Sequence, residues 1–178
     1  MRELSLHILD ALQNSREAGA TLVELTIEED LTADRLTITV HDNGRGMSEA
    51  QLARIFDPFY TTRKTRHVGL GLPLFKAAAE QCHGDLTVTS QLEKGTTLRA
   101  TFKHSHIDRA PLGDVPGALM VVILGGTCDI HFTHRVDGKE FEFHTANIKA
   151  ELGGIPLTHP RICKWLREFI ADGERDLR

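Results

Sequence analysis

Asp10 and Asn14 stand four residues apart in the segment LDALQNSREAGA. On a helix that spacing stacks them one turn apart, separated by about 40° around the axis. A carboxylate and an amide oxygen so placed suit a hydrated Mg2+ and a water molecule, because Mg2+ takes oxygen ligands and keeps several waters. A carboxylate one turn away is also placed to orient or deprotonate a nucleophile. His7 and Glu17 flank the same stripe, which points away from Leu4, Ile8 and Leu12. Read by itself, the stripe fits a solvated helix face equally well.

A second carboxylate, Asp42, ends the alternating run Leu36, Ile38, Val40 and shares its inward parity. A carboxylate there needs a donor, since an unpaired buried charge is costly. An adenine amino group is a suitable one, and Gly44 and Gly46 would let the backbone approach a flat base closely. Asp-Asn-Gly also makes tight turns in any context. Further on, Gly69-Leu70-Gly71-Leu72 opens a helix, where free N–H groups and the helix dipole favour phosphate. Arg63, Lys64, Arg66 and His67 precede it and are placed to neutralise phosphate charge, or simply to be solvated.

The elements that must position these groups follow from periodicity. Residues 3–18 read as a helix ended by Gly19. Residues 22–28 and 36–41 alternate with period two and are joined by the polar EDLTADR, so they read as antiparallel neighbours. Ser48 caps a short helix to Arg54, with Gln51 completing a capping box. A helix over 70–82 tolerates Pro73 in its first turn. Two more alternating strands follow, with Leu86 and Val88 on one and Leu98, Ala100 and Phe102 on the other. The expected fold is α+β: a mostly antiparallel sheet under helices.

HSHIDRAPLGDVPG at 104–117 lacks periodicity and reads as a linker. The organisation expected is a nucleotide-type domain over 1–104, a linker over 105–117 and a small C-terminal α/β unit over 118–178. In that unit Ala118–Leu124 reads as a buried strand. Residues 129–145 read as a hairpin turning at Asp137-Gly138, and 160–171 as an amphipathic helix. The hairpin register opposes His131 to His144, with Phe132, Phe141 and Phe143 on the other face. With Cys128 or Asp129 nearby, the two histidines still fall short of a four-ligand metal set. A polar or partner-binding surface is the expectation. So short a unit must pack on the first domain or on a second subunit.

The chain has 178 residues and a net charge of −4, with mixed charge throughout. That excludes the basic stripe of a nucleic-acid footprint. No apolar run approaches the ~20 residues of a membrane span. The N-terminus lacks a secretory pattern, and three scattered cysteines give no disulfide framework. A cytoplasmic protein is expected.

The order and spacing of LDALQNS, DNGRGM, IFDPFYTTRK and VGLGL, closed by KGTTLRATF, resemble the GHKL superfamily of DNA gyrase, heat-shock chaperones, histidine kinases and MutL. The match spans about residues 3–103. It implies a Bergerat-type two-layer sandwich, an ATP lid over roughly 57–68, and ATP with Mg2+ as cofactors. By that resemblance Asn14 ligands Mg2+ and Asp42 binds the adenine amino group. Gly44 and Gly46 line the base, and Gly69 and Gly71 hold phosphates. Met47, Phe59, Lys64, His67, Leu70, Leu72 and Thr97 complete the nucleotide contacts. Two positions depart from the pattern. His67 takes the place of the first glycine in Gly-x-Gly-Leu-Gly-Leu. Asp10 stands where the ATPases and anti-sigma-factor kinases carry a glutamate base and sensor kinases an asparagine.

The resemblance therefore implies an ATPase, or a Ser/Thr-type kinase whose acceptor lies on another chain, since the fold begins at residue 3 without a phosphoacceptor helix before it. The other readings are a non-catalytic nucleotide sensor and an ATP-gated homodimer clamp. The expected partners are ATP and a protein, with no nucleic acid or membrane.

Overall fold

The structure is a computed structural model that describes residues 2–61 and 70–178. Helix α1 (Leu4–Glu17) leads into strands β1 (Leu22–Asp30) and β2 (Arg35–Asp42). The one-turn helix α2 (Glu49–Leu52) and helix α3 (Gly71–Gln81) precede β3 (Asp85–Gln91) and β4 (Gly95–Lys103). Then come α4 (Val115–Leu124), β5 (Asp129–Val136), β6 (Lys139–His144), α5 (Thr145–Leu152) and α6 (Pro160–Asp176). The strands form one sheet in the order β3-β4-β2-β1-β5-β6, antiparallel except for β1 beside β5.

One face of this sheet is apolar because each strand alternates in phase with its neighbours. Val23, Leu25 and Ile27 meet Leu36, Ile38 and Val40, which meet Leu98, Ala100 and Phe102, all nearly fully buried. Leu4, Ile8 and Leu12 of α1 and Phe75 and Ala79 of α3 bury against that face. The result is the Bergerat-type α/β sandwich.

The capping box of α2 forms as expected. The Ser48 amide donates to Gln51 Oε1 at 2.9 Å, and the Gln51 amide to Ser48 Oγ at 3.2 Å. Helix α1 has no side-chain cap. The amides of Leu4 and Ser5 donate instead to the carbonyls of Pro111 and Leu112, at 2.9 and 2.7 Å. The segment expected to be a linker thus closes the first turn of α1, satisfying donors the helix cannot satisfy itself. Leu112 and Val115 are buried at its end.

Residues 118–124 form the body of α4, which corrects the strand expectation. Helix α4 packs on both α1 and α6, and its exposed side carries Val121 and Leu124 as well, so the run is apolar throughout and shows no period. Its start was written nearby: Asp114 Oδ1 accepts the Gly117 amide at 2.9 Å, with Pro116 in the first turn. Helix α5 was also not anticipated. The hairpin matches its expected register from Val136–Lys139 to His131–His144. It does not stand apart, for β5 runs parallel to β1 over eight paired positions, Leu22–Asp129 to Glu29–Val136, and so continues the sheet of the first hundred residues.

Replacing Asp114 with alanine removes the cap of α4 and is expected to cost about 1 kcal/mol, read as a lower urea midpoint with an unchanged slope.

Candidate functional site

A cavity of about 220 Å³ opens between α1, the start of α3 and the strand ends at Asp42 and Thr96. Asp10 and Asn14 line it from α1, and Leu70, Gly71 and Leu72 from the entry to α3. Gly46 and Met47 line it from the turn after β2. Its apolar wall is Val40, Ile55, Val88 and Leu98.

Asp42 is the buried charge of this cavity, 4% exposed. Ser15 Oγ donates to its Oδ2 at 2.7 Å, and the Gly44 amide to its Oδ1 at 2.9 Å. Two fixed donors hold the carboxylate and leave lone pairs for a further donor entering the cavity. The turn beyond is held close. The Arg45 amide donates to the Ala18 carbonyl at 2.9 Å and its guanidinium to the Glu17 carbonyl at 3.0 Å. Gly46 adopts φ +66°, and a Cβ there would lie 2.0 Å from the Gln91 carbonyl oxygen. Only glycine fits such a backbone approach.

Asp10 reaches the first turn of α3. A Cβ at Gly71 would lie 1.8 Å from Asp10 Oδ2, so the missing side chain leaves the carboxylate its place. The N-cap residue of α3, Leu70, makes no side-chain hydrogen bond, and a negative group beside such a terminus is favoured by the helix dipole.

Three of the expected contacts, Thr97, Phe59 and Gly44, do not line the cavity. Thr97 points to the opposite face of β4, where its hydroxyl meets His41 Nδ1 at 2.7 Å. Thr96, the register partner of Asp42, lines the cavity in its stead. Phe59 is 81% exposed, while the next two residues, Tyr60 and Thr61, line the site. Gly44 does not line the cavity. It donates to Asp42, and a Cβ there would crowd Ala18 Cβ at 2.9 Å. Lys64, His67 and Gly69 lie outside the described residues.

Ser15 and Thr96 were missed, although both had a signal. Ser15 falls on the apolar stripe Leu4, Ile8, Ala11, Leu12, where a hydroxyl needs a partner. Thr96 extends the inward parity of Leu98, Ala100 and Phe102.

His7 does not flank the polar stripe. It is 4% exposed and stacks on Phe75 at 4.7 Å between ring centroids. Its Nδ1 has no hydrogen-bond partner among the described residues. Burial, assisted by the charged N-terminus, pushes its pKa down to about 4. In the second half of the chain, the rings of His131 and His144 lie 5.2 Å apart between centroids, tilted by 38°, and His131 contacts Glu142 and Glu24. Among the described residues no three His, Cys, Asp or Glu side chains are placed to hold a metal.

The arrangement thus sets a buried carboxylate at the sheet end and the start of a helix on one cavity of an α/β sandwich. Residues 2–106 match the family described as histidine kinase-, DNA gyrase B-, and HSP90-like ATPase. The chain belongs to that family. It is 39% identical over 97 residues to the heme sensor protein HssS of Staphylococcus saprophyticus, covering 54% of this chain and 20% of that one. It is 33% identical over 103 residues to sporulation kinase E of Bacillus subtilis, covering 57% and 13%. The chain thus spans a fifth or less of the length of these two relatives. A solved structure titled as the N-terminal domain of a DNA repair protein superposes with a TM-score of 0.53. It is 17% identical, covers 80% of this chain and 52% of that one, and bears on the fold alone. No helix among the described residues is long and apolar enough to cross a membrane.

His7 is neutral when folded and protonates near pH 6.5 when unfolded, so stability falls as pH drops from 6.5 toward 4. His7→Leu is expected to flatten that limb relative to the natural chain, by an amount of order 3 kcal/mol at pH 4, read from urea melts at stepped pH.

Proposed function

We propose that the chain binds Mg-ATP in this cavity and activates a nucleophile against the terminal phosphate through Asp10, the nucleophile being water or a hydroxyl of a partner protein. The observation that carries the reading is Asp42: a buried carboxylate, fixed by Ser15 and Gly44, with acceptor capacity left facing the cavity.

The residues present fit the nucleotide. The apolar wall of Val40, Ile55, Val88 and Leu98 suits a flat base, and Asp42 supplies the one acceptor an exocyclic amino group needs. Gly46 keeps a close backbone wall there. At the other end of the site the start of α3 offers main-chain amides to phosphate. Asn14 brings an amide oxygen, the kind of donor that would hold Mg2+. Mg2+, when bound, neutralises phosphate charge in such a site.

Asp10 is the group this chain offers as base. Its side chain is one methylene shorter than glutamate, and Gly71 gives it room to lie over the first turn of α3. Asp10 would take the proton of the attacking hydroxyl while the α3 amides hold the phosphate still. An acceptor on a separate protein, and a cytoplasmic regulatory role of the anti-sigma-kinase kind, complete the proposal. They are supported by the carboxylate at position 10.

Calorimetric titration with Mg-ATP and phosphate release from the same sample test this. Asp42→Asn is expected to abolish binding without unfolding the chain. Ser15→Ala, which removes one hydrogen bond to a charge, is expected to weaken binding about tenfold. Asp10→Asn is expected to keep binding and lose turnover or phosphotransfer. The base assignment fails if turnover is unchanged in that variant, and the whole reading fails if the natural chain binds no Mg-ATP.

A further inference from the structure

His134 occupies an inward position of β5, in phase with Ile130 and Phe132, where its neighbours are apolar. It is 0% exposed. Its Nδ1 lies 2.8 and 2.9 Å from the two carboxylate oxygens of Glu174 on α6. Its Nε2 lies 3.0 Å from Glu29 Oε1 on β1. A neutral imidazole carries one N–H and one lone pair. It can donate to either carboxylate but must then turn a lone pair toward the other. With both carboxylates ionised, two contacts of hydrogen-bond length therefore require the charged ring.

The surroundings support that charge. Glu29 Oε2 also meets His104 Nε2, from the segment after β4, at 2.7 Å. The Arg178 guanidinium, beyond α6, lies 4.0 Å from Glu29 Oε1. From β6 the residue opposite His134 is Phe141, which does not titrate. The charged groups that face the ring among the described residues are thus Glu29 from β1 and Glu174 from α6. His104 and Arg178 act on it through Glu29. Burial pushes the pKa of His134 down, but its hydrogen bonds to Glu174 and Glu29 outweigh burial and leave it above the ordinary value. Glu29 is drawn down to about 2, chiefly by its hydrogen bond with His134.

The contact fastens something specific. Helix α6 lays Phe169 on Phe141 and Phe143, with centroids at 5.4 and 6.3 Å. Gly173 sits flat on the Phe141 ring, where a Cβ would come within 2.2 Å. Glu174, the next residue, is the polar anchor of that half of the helix. It grips the ends of β1 and β5 that lie away from the cavity, as the pairing of Val23 rather than Glu29 with Asp42 shows.

We propose that Glu29, His134 and Glu174 form a proton-dependent latch, closed while His134 is charged, whose loss of one proton releases the C-terminal half of α6 from the aromatic floor of the hairpin. The sign follows from the raised folded pKa. The contribution of His134 is complete below the unfolded value near 6.5 and is lost as pH rises through the folded value. The contribution of Glu29 is present above about pH 4.5 and is lost as pH falls toward 2. The latch therefore holds below the ordinary imidazole value, down to the range where Glu29 takes a proton, and opens as pH rises through the raised folded pKa of His134.

Hydrogen exchange of the intact chain, resolved to α6 and corrected for intrinsic rates, tests this between pH 6 and 9. Emission of Trp165 on α6, the only tryptophan in the chain, gives a second readout. Protection over 166–176 is expected to fall by up to about tenfold for each pH unit between the unlatched value near 6.5 and the raised folded pKa of His134, and to level off above it, while β2 and β4 keep theirs. Glu174→Gln, which can donate to a neutral ring, is expected to remove that pH dependence. His134→Gln is expected to give pH-independent, weak protection, and Glu174→Gln carries the test if that variant does not fold. The proposal is overturned if α6 protection is flat across the range. It is equally overturned if Glu174→Gln keeps the natural slope, or if the His134 ring titrates at or below 6.5 by NMR.

Discussion

A carboxylate excluded from water must be held by donors, and the architecture around Asp42 follows from that constraint. Ser15 reaches it from α1 and Gly44 from the turn beyond β2, so helix, strand and loop are tied at one charge. The same pair of bonds fixes where α1 sits along the sheet, and with it the place of Asp10 and Asn14. A nucleotide amino group entering the cavity would meet an acceptor already oriented, with no side chain left to order on binding. The glycines serve this packing more than flexibility. Gly46 and Gly71 are sites where a single Cβ would collide with a carbonyl or with the Asp10 carboxylate.

The second half of the chain is part of the same body. Strand β5 continues the sheet beside β1, and α4 supplies a hydrophobic wedge between α1 and α6. The carbonyls of Pro111 and Leu112 complete α1 at its start. The helix bearing Asp10 and Asn14 is therefore buttressed by residues far beyond the family match at 2–106. The two buried histidines illustrate opposite answers to burial. His7 lies against Phe75, its Nδ1 without a hydrogen-bond partner among the described residues, and is held neutral. His134 is gripped by two carboxylates and is held charged.

Much was legible without coordinates. Strand alternation put Val23, Leu25, Ile27, Leu36, Ile38 and Val40 on one face, and the turn at Asp137-Gly138 fixed the hairpin register, because local chemistry alone sets both. The ordered boxes around Asn14, Asp42 and Gly71 located the cavity. The errors came where a longer-range fact decides. Residues 118–124 pack on two helices yet keep apolar Val121 and Leu124 on the exposed side, and a run without a period has no secondary structure written in it. That Thr96 rather than Thr97 lines the cavity is, by contrast, a matter of local parity, which Leu98 already shows. His7 was placed with the polar stripe because nothing local announces that α3 covers it.

The chain by itself thus determined its family, through the order of its motifs, and the alternating strands of the sheet, through neighbours within a few positions. Only the tertiary structure decided that β5 joins β1 in parallel, that Ser15 holds Asp42, and that Glu29, His134 and Glu174 meet in the interior. Those partners lie 27 to 105 residues apart, and no periodicity encodes which distant carboxylate a buried hydroxyl or imidazole will find.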